Sequence, residues 1–327
     1  MHKDLLLNWK LIDIKGSLSG GYTQDDIVSC FQFNHSGSKF VCGDRGGRCV
    51  VFERDGCGNY DFVCTFQSHE EYFDLLRSAN IDKRINAVEW VNNGTASDMF
   101  ISTNDRSMKL WKIDRRRPNS YEGFNRINTA SIDSRIITSL KHEFKDGHSF
   151  HINSVSMNSD QQTFLSSDEL RINIWDLNVT EISFICVDIK PEDLNDCTEL
   201  IQVSKFHPTR CNLFVYGLNS GVVKLCDMRQ KAHCDYNGLI FRDDNSPYKN
   251  SGYHNSICGV SAIEFSKDEY FFFARDFMNI KLYDIRYNKH PISIWNVHEH
   301  LNSRLPEILN SEFIYEPYDI NLSSDDR

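Results

Sequence analysis

The chain has 327 residues, of which 40% are hydrophobic and 12% aromatic, so it can bury a substantial core. Its formal net charge of −10 argues against nucleic acid as a principal partner, because phosphate binding needs a basic surface. No apolar run approaches the roughly 20 residues of a membrane helix, so neither a membrane partner nor a signal segment is expected.

The eleven cysteines are scattered and include no C-x-x-C pair. Zinc ligands and redox dithiols usually come in such pairs, so we expect no metal, no cofactor and no disulfide framework. Several cysteines fall on inward strand positions, where they act as small hydrophobes in a reducing compartment. This pattern predicts a cytoplasmic protein, with the nucleus as a second location.

Five segments of the chain can be laid on one another, and each runs from an alternating apolar strand through a polar turn to a second strand. They are residues 28–53, 85–113, 152–177, 200–228 and 259–285. Alternation places one face of each strand in a core, and self-similarity over a period longer than a hairpin is typical of a repeat architecture.

An Asp or Asn precedes the closing residue of every unit by six to eight positions. The pairs are Asp44 with Phe52, Asp105 with Trp111, Asp168 with Trp175, Asn219 with Cys226 and Asp276 with Tyr283. Such a side chain bonds its own backbone and fixes a tight hairpin turn. We therefore expect each unit to contain a hairpin closed by this residue.

The third unit resembles the WD-repeat consensus, with Gly147-His148 at its start, Asp168 in the turn and Trp175-Asp176 at its end. In such repeats the His, a Ser or Thr, the Asp and the Trp form a buried hydrogen-bonded chain, and four-stranded blades build a β-propeller. The closing residues lie farther apart than the roughly 40 to 45 residues of one repeat, which predicts insertions between blades. This resemblance favours a structural role for His148 over a catalytic one.

Two longer segments, residues 66–86 and 147–160, are similar to signature stretches of the B family of 55 kDa regulatory subunits of serine/threonine protein phosphatase 2A. Shorter matches follow in family order between about Asn8 and Ile314: residues 43–52, 102–111, 170–175, 187–191, 225–229 and 297–301. The resemblance implies an all-β, seven-bladed WD-repeat propeller. It also implies that the chain binds the scaffold (A) subunit and presents phosphoprotein substrates to the catalytic (C) subunit, without an active site of its own.

The resemblance further implies an acidic upper face that engages basic segments of substrates. Carried over residue by residue, the substrate-binding positions are Asp168 and Glu169 in the third unit, and Glu312 beyond the fifth. Cys197 stands where the family usually has leucine, and Leu309 where it usually has tyrosine, both near the substrate groove. A carboxylate at a hairpin tip can meet Arg or Lys in a charge-assisted bond, although a merely solvated turn is the alternative for Glu169.

Two departures from the family pattern bear on assembly. The insertion from Asp114 to Asp146 is shorter than the family's hairpin arm, which reaches toward the scaffold subunit. The family also continues past the position of Arg327, and its N-terminal strand, here around Trp9 to Ile14, completes the last blade with strands from the C-terminus. Three alternatives follow: the chain is a fragment, it closes as a smaller ring, or it stays an open arc that pairs with a partner. We favour a fragment with five blades and the start of a sixth.

We expect one propeller domain over residues 1–320 and a disordered tail over residues 321–327. Two other classes of function stay open: an enzyme, and an adaptor that keeps the propeller but no longer assembles with the phosphatase. His298-Glu299-His300 lacks the H-E-x-x-H spacing of a metal site, which argues against the enzyme. The basic run Arg115–Arg117 is expected to be a solvated loop rather than a docking patch.

Overall fold

The computed structural model describes residues 11, 14–15, 21–75, 77–92, 94, 97–116, 135–230, 233–234, 238–248, 251–287, 290–309 and 318–322. Five four-stranded antiparallel sheets follow one another along this part of the chain, each with its strands in sequence order. They form the blades of a β-propeller arrangement, which confirms the predicted fold class.

The strand bounds follow blade by blade. The first blade has β1 (Val28–Phe33), β2 (Lys39–Asp44), β3 (Arg48–Arg54) and β4 (Tyr60–Gln67), and a small hairpin of β5 (Tyr72–Asp74) and β6 (Ala79–Ile81) comes next. The second blade has β7 (Ala87–Val91), β8 (Asp98–Thr103), β9 (Met108–Arg116) and β10 (Arg135–Phe144). The third has β11 (Ser154–Met157), β12 (Thr163–Ser167), β13 (Arg171–Asp176) and β14 (Val179–Asp188).

The fourth blade has β15 (Ile201–Phe206), β16 (Leu213–Leu218), β17 (Val223–Asp227) and β18 (Leu239–Phe241), and the fifth has β19 (Ala262–Phe265), β20 (Phe271–Arg275), β21 (Asn279–Asp284) and β22 (Ser293–Asn296). Two short α-helices, α1 (His254–Cys258) and α2 (Leu305–Ile308), lie in the connections. Short segments of 3-10 helix occupy Gln24–Asp26, Leu194–Asp196 and Glu299–Arg304.

Each predicted repeat unit covers the first three strands of its blade, and the fourth strand lies in a segment that the sequence suggested was an insertion. The reason is burial: β4 has no buried residue and β14 has only two, so apolar and polar residues do not alternate clearly. Arg115 and Arg116 likewise lie in β9, where β10 pairs with them, and not in a loop. Arg117 is outside the described residues.

The hydrophobic core is divided into layers between successive blades, because alternate side chains of a strand face opposite neighbours. Four layers join blade 1 to 2, 2 to 3, 3 to 4 and 4 to 5. Their largest buried members include Phe100, Phe144, Phe164, Trp175, Phe214, Tyr216, Phe241, Phe272 and Tyr283. On the faces of the first and fifth blades turned away from these layers, large apolar side chains such as Phe31, Phe33 and Trp295 are exposed.

The innermost strands β1, β7, β11, β15 and β19 surround a central cavity of about 500 Å³. One polar side chain on each of the first four reaches the next blade. The bridges are Gln32 Oε1 to the Trp90 N–H (2.9 Å), Glu89 Oε1 to the Met157 N–H (3.3 Å), Ser156 Oγ to the Phe206 N–H (3.1 Å) and Lys205 Nζ to Glu264 Oε2 (2.8 Å). The bridges therefore tie the blades in chain order around the cavity.

Residues 318–322 return to the fifth blade. The Ser261 hydroxyl donates to the Tyr318 carbonyl at 2.8 Å, and Arg275 Nη1 donates to the Asp319 carbonyl at 2.9 Å. Most of the segment from Trp9 to Ile14, and residues 323–327 of the predicted tail, lie outside the described residues. The division into one domain over residues 1–320 stays a prediction.

Candidate functional site

One end of the propeller carries both the turn between the second and third strands of each blade and the connections between blades. Since the first strand of a blade leads away from this end and each later strand reverses direction, these segments must share it. We call this end the upper surface. The predicted site residues Asp168, Glu169 and Cys197 all lie in its turns and connections.

Buried polar side chains build the upper turns. Asp168 Oδ1 accepts the N–H groups of Leu170 and Arg171 at 2.8 and 2.7 Å, and Asp276 Oδ1 accepts two N–H groups in the fifth blade in the same way. In the second blade this role belongs to Asn104, whose Oδ1 accepts the N–H groups of its own turn. The prediction that Asp105 closes this turn was therefore wrong by one position. The Asp105 carboxylate instead lies beside Asn86 and His151.

The third blade contains the hydrogen-bonded chain that its sequence predicted. His148 Nδ1 lies 3.0 Å from Asp168 Oδ2 and His148 Nε2 lies 2.6 Å from Ser166 Oγ, which also accepts the Trp175 Nε1–H at 2.8 Å. Burial works against ionisation of Asp168, but the bond from His148 and the two N–H donors outweigh it and lower the pKa of Asp168. All four side chains are buried.

This geometry corrects the role expected for Asp168. The side chain is wholly buried and its oxygens already have partners, so it cannot contact a substrate directly. It supports the turn that presents its neighbour Glu169.

The second blade has a comparable buried network that the sequence reasoning missed. Ser68 Oγ lies 3.1 Å from His69 Nδ1 and 2.7 Å from Ser102 Oγ, and it accepts the Trp111 Nε1–H at 2.8 Å. Burial, with help from the Lys109 charge, lowers the pKa of His69 to about 3, so the ring is neutral. The sequence pattern that could have predicted this network is Ser68-His69 before Trp111. It corresponds to Gly147-His148 before Trp175 in the third blade.

Glu169 occupies the apex of the third upper turn, with 27% of its side chain exposed. Its Oε1 lies 3.3 Å from His151 Nδ1, whereas its Oε2 is buried and has no hydrogen-bond partner among the described residues. The other ring nitrogen of His151 lies 3.7 Å from Asp105 Oδ2 on the second blade. Two carboxylates from different blades thus flank one imidazole on the upper surface.

Cys197 lies in the connection between the third and fourth blades and lines a cavity of about 230 Å³. Its Sγ donates to the Glu199 carbonyl at 3.5 Å. A few residues further on, the Ile201 N–H donates to the Glu169 carbonyl at 2.7 Å. The structure therefore brings the Cys197 connection next to the Glu169 turn. Lining this cavity are Asp188, Ile189, Pro191, Asp196, Thr198, Glu199 and Lys224.

Leu309 lies apart from these residues, directly after α2. It packs against an upper cluster of buried side chains formed by Ile257, Cys258, Phe277 and Met278. Glu312, the last predicted position, lies outside the described residues. The structure thus joins Glu169 to Cys197 and assigns Leu309 to the fourth and fifth blades.

The described residues include no group of three or more His, Cys, Asp or Glu side chains placed to hold a metal ion. His298, from the run His298-Glu299-His300, donates through Nδ1 to the Phe277 carbonyl at 2.8 Å. None of the helices in this part of the chain has the length and apolarity to cross a membrane.

The five four-stranded blades and the buried His–Ser–Asp–Trp chain define a WD-repeat propeller. In agreement, the family described as "WD domain, G-beta repeat" matches residues 138–176.

Comparison with characterised proteins defines the family further. The chain is 36% identical to "Serine/threonine-protein phosphatase 2A regulatory subunit sur-6" of Caenorhabditis elegans, over 98% of this chain and 70% of that protein. It is 36% identical to "Protein phosphatase PP2A 55 kDa regulatory subunit" of Drosophila melanogaster, over 95% of this chain and 68% of that protein. It is 38% identical to the gamma isoform of the phosphatase 2A 55 kDa regulatory subunit of Mus musculus, over 91% of this chain and 72% of that protein.

The chain therefore belongs to the B family of 55 kDa regulatory subunits of serine/threonine protein phosphatase 2A. Its role is regulatory and non-catalytic.

Proposed function

We propose that the chain recruits substrates to a protein phosphatase 2A holoenzyme: it binds the scaffold and catalytic subunits and presents phosphoproteins through their basic segments. The observation that carries this proposal is the acidic pair on the upper surface. Asp105 and Glu169 come from adjacent blades, and both side chains are partly exposed. The Glu169 Oε2 atom is buried and has no hydrogen-bond partner among the described residues. An under-satisfied carboxylate favours a cationic partner such as Arg or Lys.

The cavity beside Cys197 supports the same class of ligand. Among the described residues, its lining includes the carboxylates of Asp188, Asp196 and Glu199 and one cation, Lys224. Arg171 Nε already pairs with Asp188 at 2.9 Å, and Lys224 Nζ lies 3.7 Å from Glu199. A basic side chain entering between the third and fourth blades would therefore find a net negative wall.

An apolar contribution comes from the cluster that includes Leu309. We propose that Leu309, which is half-buried against this cluster on the fourth and fifth blades, contacts apolar residues of the same substrate segment, and that Glu312 extends the acidic surface beyond it. The departures at Cys197 and Leu309 from the family's usual leucine and tyrosine predict a changed peptide preference, because both replacements change side-chain volume and shape.

Two hairpins are proposed as the contacts to the other subunits. The hairpin β9–β10 stays paired as far as Arg116 and Arg135, and its strands of nine and ten residues are longer than most blade strands. We assign this hairpin to the scaffold subunit. The hairpin β5–β6 exposes Tyr72, Phe73 and Leu75, the last at 83%. Because a catalytic subunit must face the substrate side, we assign this exposed apolar hairpin to it.

A charge reversal tests the substrate site. Glu169→Lys should weaken binding of a basic substrate peptide by about 1–3 kcal/mol, because it replaces a charge-assisted bond by repulsion. Peptide affinity would be measured by calorimetry, and holoenzyme assembly by co-purification, which should not change. Glu181→Lys, an exposed acid on the outer strand β14, is the matched control and should leave peptide affinity near wild type. Equal affinities for Glu169→Lys and wild type would remove Glu169 from the site.

An adaptor that no longer joins the phosphatase is the second candidate, favoured by the short insertion between Asp114 and Asp146. Mixing the purified chain with scaffold and catalytic subunits at micromolar concentration separates the two functions. The proposed function requires a ternary complex on gel filtration. The gamma-isoform relative from mouse serves as the positive control, and its assembly without assembly of this chain would leave the adaptor.

A further inference from the structure

His151 lies between the two carboxylates of the acidic pair. The residue lies on the connection into the third blade, and 60% of its side chain is exposed. Its two ring nitrogens face Glu169 Oε1 at 3.3 Å and Asp105 Oδ2 at 3.7 Å. Asn86 Nδ2 holds the other oxygen of Asp105 at 2.8 Å, which fixes that carboxylate beside the ring.

The protonation state of His151 determines how many carboxylates its imidazole can hydrogen-bond. A neutral imidazole carries one N–H and can donate to only one of the two carboxylates, whereas the imidazolium carries two and can donate to both. Protonated His151 would thus neutralise part of the charge that a basic substrate side chain needs. Neutral His151 leaves at least one carboxylate to the ligand.

We propose that His151 is an internal cation that competes with basic substrate side chains for Glu169 and Asp105, so that substrate capture weakens as the pH falls. This inference rests on the proposed function, because it concerns the regulation of the same site. It makes His151 a specificity-determining residue of the upper surface: only a ligand whose cation pairs better than the imidazolium can displace it.

The surroundings of the ring set the direction of the effect. The hydrogen bond to Glu169 raises the pKa of His151 above its ordinary value, partial burial opposes this, and Asp105 adds to it. The charged groups facing the ring are Asp105 and Arg106 on the second upper turn and Glu169 on the third, and Arg106 lowers the pKa. Because the folded value is raised, the His151 contacts are complete below the unfolded value of about 6.5 and are lost as the pH rises through the folded value.

The test measures the affinity of the full chain for an acetylated, unphosphorylated Lys/Arg peptide without histidine at about pH 6 and about pH 8. A peptide of this kind has no group that titrates in the window, unlike a phosphopeptide. Wild type should bind about fivefold more weakly at the lower pH. His151→Gln, which cannot be charged, should bind equally at both pH values, and His151→Lys, a permanent cation, should bind weakly at both.

Controls separate this inference from the proposed function. His290 also lies near a carboxylate, 3.9 Å from Asp244 Oδ2, but on the fifth blade, so His290→Gln should keep the wild-type pH profile. A His151→Gln protein that keeps the wild-type profile would overturn the inference. If instead Glu169→Gln binds the peptide like wild type at both pH values, the proposed substrate site itself fails. Unfolding curves of each variant verify that the fold is retained.

Discussion

At the scale of single residues, the neighbours Asp168 and Glu169 point in opposite directions and have different roles. Asp168 turns inward to bind His148 and two N–H groups, and Glu169 turns outward toward His151. A sequence motif reports both acids as a pair and does not say which one faces solvent. The direction follows from the turn, because a side chain that bonds the turn backbone must lie inside it.

Trp175 tests the inward side of this arrangement. It is 2% exposed and packs against Phe144 and Phe164 between the second and third blades. Trp175→Ala should lower the free energy of unfolding by about 3–5 kcal/mol, because it removes a large core side chain and a hydrogen bond to Ser166. Chemical denaturation would measure the change.

The matched control is Trp295→Ala on the fifth blade, where 48% of the side chain is exposed. Its cost should be clearly smaller, about 1 kcal/mol or less, since little transfer from water is lost. Similar losses for both variants would contradict the assignment of Trp175 to the core.

At the scale of elements, the connection into the third blade packs against the blade that it enters. A methyl group on Gly147 would overlap the Trp175 ring, with another ring atom at 2.9 Å and Asn173 Nδ2 at 3.0 Å. Gly147→Ala should therefore destabilise the protein by about 1–3 kcal/mol through overpacking. Thermal or denaturant unfolding would detect it.

Gly56 offers the corresponding control in the hairpin between β3 and β4. A methyl group there meets no atom within 4 Å. Gly56→Ala should leave the unfolding free energy unchanged or slightly higher, because it only restricts the unfolded chain. If the Gly147→Ala protein is as stable as the Gly56→Ala protein, the connection at Gly147 can shift to accommodate a methyl group and the prediction is wrong.

The elements also show how far sequence reasoning could go. The first three strands of each blade were predictable because buried apolar residues recur along them. Ile172 and Trp175 of β13 are examples. The fourth strand was not, because it lies at the outside: Ile182 and Phe184 of β14 are exposed. The sequence suggested Glu169 as a candidate site residue, which stays a prediction. Its neighbours Asp105 and His151 come from other segments of the chain and meet Glu169 only through packing of the blades.

At the scale of the whole molecule, charged side chains face the central cavity. Lys205 pairs with Glu264 at 2.8 Å and also faces Glu89. Burial opposes the charge of Lys205, but the two carboxylates outweigh it and raise its pKa. One cation thus holds two carboxylates that come from the second and fifth blades.

Lys205→Met should lower the unfolding free energy by about 1–3 kcal/mol, because it leaves two facing carboxylates without their cation. The loss should shrink in mild acid, where protonation of a carboxylate relieves the repulsion, and should be smaller in Lys205→Met/Glu264→Gln. Lys145→Met, which breaks the exposed pair with Glu143, is the control and should cost less than about 1 kcal/mol. Equal effects for the interior and surface variants would refute a stabilising role for the cavity charges.

The two carboxylates of the acidic pair are held by different blades, and this has an evolutionary consequence. The gap between Asp105 and Glu169 depends on the thickness of the side-chain layer between the second and third blades, where Ile101 and Phe164 lie. A change of volume in that layer would respace the acids without altering either one. At the proposed site, partner selectivity in paralogues can therefore diverge through interior substitutions while both acids stay the same.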